Sequence, residues 1–307
     1  MKTEAVRRKK MHRKQHIDCL LGVLVVLLLC IAAGFGAMAV YRYFHPNVAQ
    51  ETIPLFTVSD AEKMVEEQTV YEHSYYEIIP EDMELLRQYQ AMNEDTVGVI
   101  TIRDSILRHP LMQSPARGES YYLSHDLEHS HNFHGVPFLT LASDLARESG
   151  NNIIYGHNII WTEPQDVFCD LCNYEELDYY KTHPVIEIVT NQGTAKYIII
   201  SYAIMDTADS DNFVYWNDVY WEDDTSFNEY MSKMQERNWL DVDVPYNRYD
   251  AFITISTCSK ELAHSGTNRM VVMARRLEIG EDYWKYVNKA TMNPNPLLPR
   301  KLRKSKL

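Results

Sequence analysis

Hydrophobic and polar positions change register sharply along this chain. From Cys19 to Val40 no residue is charged, and those 22 residues would span about 33 Å as a helix, enough to cross a bilayer. Residues 41–94 are polar, with Ser59–Gln68 and Glu81–Glu94 reading as two helical stretches. Ser59 before Asp60 and Glu62 gives the first a start, and Leu85, Leu86 and Tyr89 give the second an apolar stripe. After Asn93 the pattern turns to short β-rich runs: Val97–Ile102, Asn152–Tyr155, Val185–Thr190, Lys196–Ala203, Ala251–Thr257 and Met270–Ala274. Turn formers such as Asn191-Gln192-Gly193 separate them. This predicts a mixed, mainly β fold, either a barrel or a sandwich. One amphipathic helix interrupts it, where Phe227, Tyr230, Met231 and Met234 recur at helical spacing behind Ser226 and Glu229, a capping-box pattern.

The same reading sets the expected organisation. Residues 1–18 form a basic cytoplasmic segment and 19–40 a transmembrane anchor. Residues 41–94 form a helical stalk or set of helices, 95–290 the main folded domain, and 291–307 a flexible basic tail containing proline. Seven Lys or Arg precede the apolar run and only Arg42 follows it closely, so the amino terminus is expected in the cytoplasm and the remainder outside the cell membrane. Ala37-Met38-Ala39 offers a signal-peptide cleavage site as the competing reading, but the run exceeds an ordinary signal-peptide core.

Charge narrows the class of partner. The formal net charge is −13, yet Met1–Phe44 carries eight basic residues against two acidic, and five basic residues with no acidic one follow Met292, leaving about −24 in between. A domain that acidic lacks the positive footprint that nucleic-acid phosphates require. The five cysteines form no disulfide framework: Cys19 and Cys30 lie in the apolar run, Cys169 and Cys172 are spaced C-x-x-C, and Cys258 stands alone.

Candidate chemistry gathers at strand ends. Thr254-Ile255-Ser256-Thr257-Cys258 closes a β run with a thiol, a strong nucleophile and good acyl carrier once a base or cation activates it. Ile153-Ile154-Tyr155-Gly156-His157-Asn158 closes another with an imidazole able to supply that base. Arg269 opens the run after Cys258 and would hold a permanent charge near a developing oxyanion, with Arg275 and Arg276 as rivals for that role. Two other groupings compete. Cys169 and Cys172 fit a redox or metal pair only without the βαβ setting such pairs have, and pack equally well as small apolar groups. His125, His129, His131 and His134 match no defined zinc spacing and read as a polar loop.

The Tyr-Gly-His strand end, the Thr-Ile-Ser-Thr-Cys strand end and the arginine opening the next strand, in that order, resemble the active-site signature of the sortase family. The chain is most similar to class B from Thr96 to about Leu277, including Gly98–Ile102, the Tyr121–Asp126 run and the helical stretch before Lys181-Thr182-His183-Pro184. The resemblance implies an eight-stranded β-barrel with added helices, and a cysteine transpeptidase using Cys258 as nucleophile, His157 as acid and base, and Arg269 as oxyanion stabiliser. Tyr155 and Ser256, inside the two motifs, are the expected substrate contacts. The implied reaction cleaves a sorting motif near the carboxyl terminus of an exported protein after a Thr and passes the acyl group to a cell-wall precursor amine. No metal or organic cofactor is implied. Alternatives are polymerisation of pilins through a protein Lys, hydrolysis by the same thiol, and a wall-binding module with an inert Cys258. Ile255 stands where the family has Leu, a volume-conserving change. The acidic, aromatic stretch Asp206–Asp224 falls where the class has a substrate-facing loop and helix.

Overall fold

The computed structural model describes residues 75–159, 166–209, 213–259 and 266–305. The apolar run Cys19–Val40 and the stretch Ser59–Gln68 lie outside the described residues, among which no helix is long and apolar enough to cross a membrane.

Eight strands close into a barrel in the order β1-β2-β3-β4-β10-β11-β8-β7. They are β1 (Thr96–Thr101), β2 (Arg108–Met112), β3 (Phe138–Leu139), β4 (Gly150–Tyr155), β7 (Val185–Thr190), β8 (Gly193–Asp206), β10 (Ala251–Cys258) and β11 (Asn268–Arg276). Two small two-stranded sheets accompany them, β5 (Asn158–Ile159) with β6 (Asp166–Val167), and β9 (Leu240–Asp241) with β12 (Thr291–Met292). Closure leaves no barrel edge for another chain to pair with.

The six anticipated runs all form strands, most of them longer than expected. Lys196–Ala203 extends to fourteen residues as β8, because almost its whole length is buried between neighbours and so reads as a continuous apolar run. β2 and β3 carry no such signal, and it is they that complete the ring. The β7–β8 turn needs Gly193, whose φ is +129° and where a Cβ would lie 2.8 Å from the Glu77 carbonyl oxygen.

Helix α1 (Pro80–Met92) buries Leu86 against Val99 and Val189, so it packs on the barrel wall. Burial of one such leucine contributes about 1.5–3 kcal/mol. Helix α2 (Leu177–Thr182) precedes β7, and α3 (Asp224–Arg237) seats Phe227, Tyr230, Met231 and Met234 in the core as anticipated. Its start differs from expectation. Asp223 caps it, accepting a bond from the Ser226 amide while the Ser226 hydroxyl answers to the cap, so Ser226 is the third helical residue and not the cap itself.

The tail is corrected likewise. Two short helices, α4 (Trp284–Val287) and α5 (Arg300–Ser305), lie in the carboxyl-terminal part, and residues between them are held by backbone bonds: Asn293 N to Trp239 O at 2.8 Å and Leu297 N to Glu236 O at 2.8 Å. Leu302 is buried and Lys301 pairs with Asp206 at 3.0 Å. An apolar side chain every few residues, Leu298 and Leu302 among them, gives this basic stretch something to bury, which its charge conceals.

Candidate active site

Strands β4 and β10 run parallel as barrel neighbours, paired as far as Tyr155 and Ser256. Parallel strands lie about 4.8 Å apart, so the residues two beyond that last pair, His157 and Cys258, leave the sheet from the same rim. On the other side of β10, Cys258 faces Arg269 in the antiparallel β10–β11 ladder. Consecutive strands thus carry His157, Cys258 and Arg269 to one rim. The thiol is exposed and free, while the imidazole and the guanidinium are half-buried.

Several contacts hold His157. Its Nε2 lies 2.9 Å from the Leu123 carbonyl oxygen, which can only accept, so Nε2 carries a proton and Nδ1 is the nitrogen free to exchange one. Phe133 stacks on the ring with centroids 5.9 Å apart. The His157 carbonyl accepts the Phe168 amide at 3.0 Å, and at Gly156 a Cβ would sit 2.6 Å from the Phe168 ring, so only glycine lets the strand end pass this close. Val167, adjacent to Phe168, takes a φ of +56°, rare for a β-branched residue.

The loop that supplies Leu123 and Phe133, between β2 and β3, is fastened from below by one carboxylate. Asp166 on β6 meets His134 Nδ1 at 3.0 Å and His109 Nε2, from β2, at 3.2 Å. Its carboxyl is held far below the usual range, chiefly by the His109 contact and then by the Val167 amide and His134, against the opposing effect of burial.

Arg269 Nη1 donates to the carbonyls of Gly266 at 3.0 Å and Asn268 at 2.9 Å, anchoring the side chain to its own approach loop. Burial pushes the Tyr155 phenol up to about 12, assisted by Glu119 and opposed by Arg269, so the guanidinium acts on that ring. Tyr215, raised by burial, also feels Arg269 and Cys258 and bonds the Ser256 hydroxyl at 2.7 Å. Ser256 is only 1% exposed, so its hydroxyl belongs to this buried pair and is closed to a substrate in this state, whereas Tyr155 keeps an open face. The rival arginines are elsewhere. Arg275 pairs opposite Phe252, six residues and about 20 Å along β11 from Arg269, and bonds Glu281, while Arg276 bonds Tyr76 and the carbonyls of Arg147 and Glu148.

The other groupings resolve into packing. Cys169 and Cys172 are buried in a 3-10 turn and form no disulfide, Cys169 pushed up to about 11 by burial and by neighbouring Asp170. His125 stacks on Tyr121 at 4.0 Å and His134 serves Asp166. Among the described residues no group of three or more His, Cys, Asp or Glu is placed to hold a metal ion. Sequence reasoning missed His109, Phe133, Asp166, Tyr215 and the side-chain roles of Asn158 and Thr257. Only the last two sat inside a recognised motif.

No family model matches the chain. It is 28% identical over 190 residues to Sortase B of Listeria monocytogenes, covering 62% of this chain and 73% of that one. To Sortase B of Staphylococcus aureus it is 25% identical over 259 residues, 84% of this chain and 97% of the other. Its fold matches the Staphylococcus aureus sortase B–substrate complex with a TM-score of 0.55 at 23% identity, over 71% of this chain and 93% of that one. Sequence and barrel therefore agree on a class: the chain is similar to sortases in both. Within that family the similarity is to class B, the name borne by each of these relatives.

Proposed function

We propose that the chain is a class B sortase, a membrane-anchored transpeptidase in which Cys258 is the nucleophile, His157 the proton carrier and Arg269 the oxyanion stabiliser. The observation that carries this reading is the convergence of an exposed thiol, an imidazole and a guanidinium from three adjacent strands on one rim. The Cys258 thiolate attacks the carbonyl carbon of the scissile peptide bond, and negative charge forms on that oxygen within reach of the Arg269 guanidinium. The C–N bond then breaks, and His157 gives its proton to the departing amine, leaving a thioester on Cys258. An incoming amine attacks the thioester, His157 takes the amine's proton, and the thiolate leaves with the peptide joined to its acceptor.

The substrate is a sorting motif near the carboxyl terminus of an exported protein, cut after a Thr, and the acceptor is an amine of the cell-wall precursor. The sortase resemblance supports this, as does the 22-residue apolar run behind a basic segment, which fits an anchor presenting the barrel outside the cell membrane. The test is to incubate the chain with a library of quenched fluorogenic sorting peptides, with and without a diglycine or diaminopimelate-type amine, beside Cys258→Ala. Peptide joined to the amine, dependent on Cys258, is the expected result. Free acid in both conditions would make the protein a hydrolase, and turnover by Cys258→Ala would remove the thiol from the reaction.

A further inference from the structure

The β4–β10 ladder ends two residues before His157 and Cys258. Beyond Tyr155 and Ser256 the β4 chain turns away into β5, and the backbone groups at the strand ends lose their ladder partners. Two buried side chains take over. The Thr257 hydroxyl donates to the Gly156 carbonyl at 2.7 Å, and Asn158 Nδ2 donates to the Cys258 carbonyl at 2.9 Å. The two bonds cross in opposite senses, each from the residue beside one member of the His157–Cys258 pair to the strand bearing the other.

Asn158 is the more informative of the two. It is 3% exposed, and its second amide hydrogen goes to Cys172 Sγ at 3.3 Å, so Nδ2 is fully used. A carbonyl oxygen only accepts, which fixes which end of the amide faces Cys258. Its Oδ1 is buried and meets no partner among the described residues. A buried amide with one idle acceptor is a poor choice for packing alone. It is tolerated where its donors are required.

We infer that Asn158 is a positioning residue, whose amide replaces the missing ladder donor at the Cys258 carbonyl and so sets the thiol-bearing backbone against the imidazole of its own neighbour, His157. The inference rests on Cys258 and His157 being the reactive pair. Misplacement by about 1 Å at such a pair costs on the order of 100-fold in rate.

The test uses iodoacetamide, and so needs no peptide substrate. Alkylation of Cys258 is followed by peptide mass spectrometry in the full chain, in His157→Ala, in Asn158→Leu and in the double variant, each checked for a cooperative melt. In the unaltered background, His157→Ala is expected to change the Cys258 rate by on the order of tenfold, because thiol reactivity follows its neighbours. In the Asn158→Leu background the same change is expected to move the rate less than about twofold, as coupling is lost with geometry. A loss of packing alone would leave the two effects additive, which would overturn the inference. Should Asn158→Leu not fold, Asn158→Asp keeps the shape: coupling should vanish where the introduced carboxyl is ionised and return as pH falls and it gains a proton to donate. Coupling unaltered at every pH in that variant would also overturn the inference. If His157→Ala has no effect in the unaltered background, the reactive-pair reading and this inference fall together. If that coupling exists and the Asn158 variants keep it, only this inference falls.

Discussion

At the scale of single residues, β11 poses a question the sequence left open, because it holds three arginines that could each have faced the thiol. Strand register decides it. Arg269 stands opposite Cys258, whereas Arg275 faces Phe252 and Arg276 faces Tyr197 at the far end of the barrel, where they tie down Glu281 and the Arg147–Glu148 backbone. Arg269→Ala is therefore expected to lower kcat on a cleaved sorting peptide by about 100-fold, the usual cost of an oxyanion donor, with little change in melting temperature. Arg275→Met should do the reverse. Loss of one partner from a buried pair costs about 3–5 kcal/mol of stability, so a lower melting temperature with kcat within twofold is the expected outcome. Comparing kcat and melting temperature for both variants checks the assignment, and a rate collapse confined to Arg275→Met would reverse it.

At the scale of elements, the β5–β6 hairpin and the β2–β3 loop act through Asp166. With its folded pKa depressed below the ordinary value of about 4, Asp166 binds fewer protons when the protein is folded than when unfolded. Its contribution to stability is thus present above about pH 4 and fades as pH falls toward the depressed value. Wild type should lose melting temperature more steeply than Asp166→Asn as pH drops below 4, and parallel thermal melts check this. At neutral pH Asp166→Asn should also free the loop that carries Leu123 and Phe133, seen as faster amide exchange at residues 121–135. This cluster shows what the sequence could and could not disclose. Cys258 and His157 were legible because each ends an apolar β run within a contiguous motif. His109, His134 and Asp166 come from three separate segments, and no local pattern links them before the chain folds. The barrel divides the same way: β7, β8, β10 and β11 announce themselves by β-branched runs, but β3 has two residues and β2 contains Pro110, so closure is visible only in the assembled ring.

At the scale of the whole molecule, the carboxyl-terminal segment links parts of the fold that local pairing leaves separate. After β12 joins β9, the chain follows the end of α3 through Leu297 and Glu236, then reaches the rim that bears Arg269. There the Arg300 amide meets Asp209 at 2.9 Å, Lys301 pairs with Asp206 at 3.0 Å and approaches Thr267, and Leu302 is buried. Asp206 sits opposite Asn268, the residue before Arg269, so this segment braces the last rung of the β8–β11 ladder. Lys301 stays half-exposed while its partner Asp206 is buried, and the buried leucine beside them contributes about 1.5–3 kcal/mol. Truncation after Met292 is therefore expected to lower the melting temperature and to speed amide exchange at residues 267–270, while exchange in β4 and at the centre of β10 stays as before. Hydrogen-exchange mass spectrometry on the truncated and full chains measures both. If faster exchange instead spread evenly through the barrel, the segment would be a general contributor to stability, and the brace on the Arg269 rim would have to be abandoned.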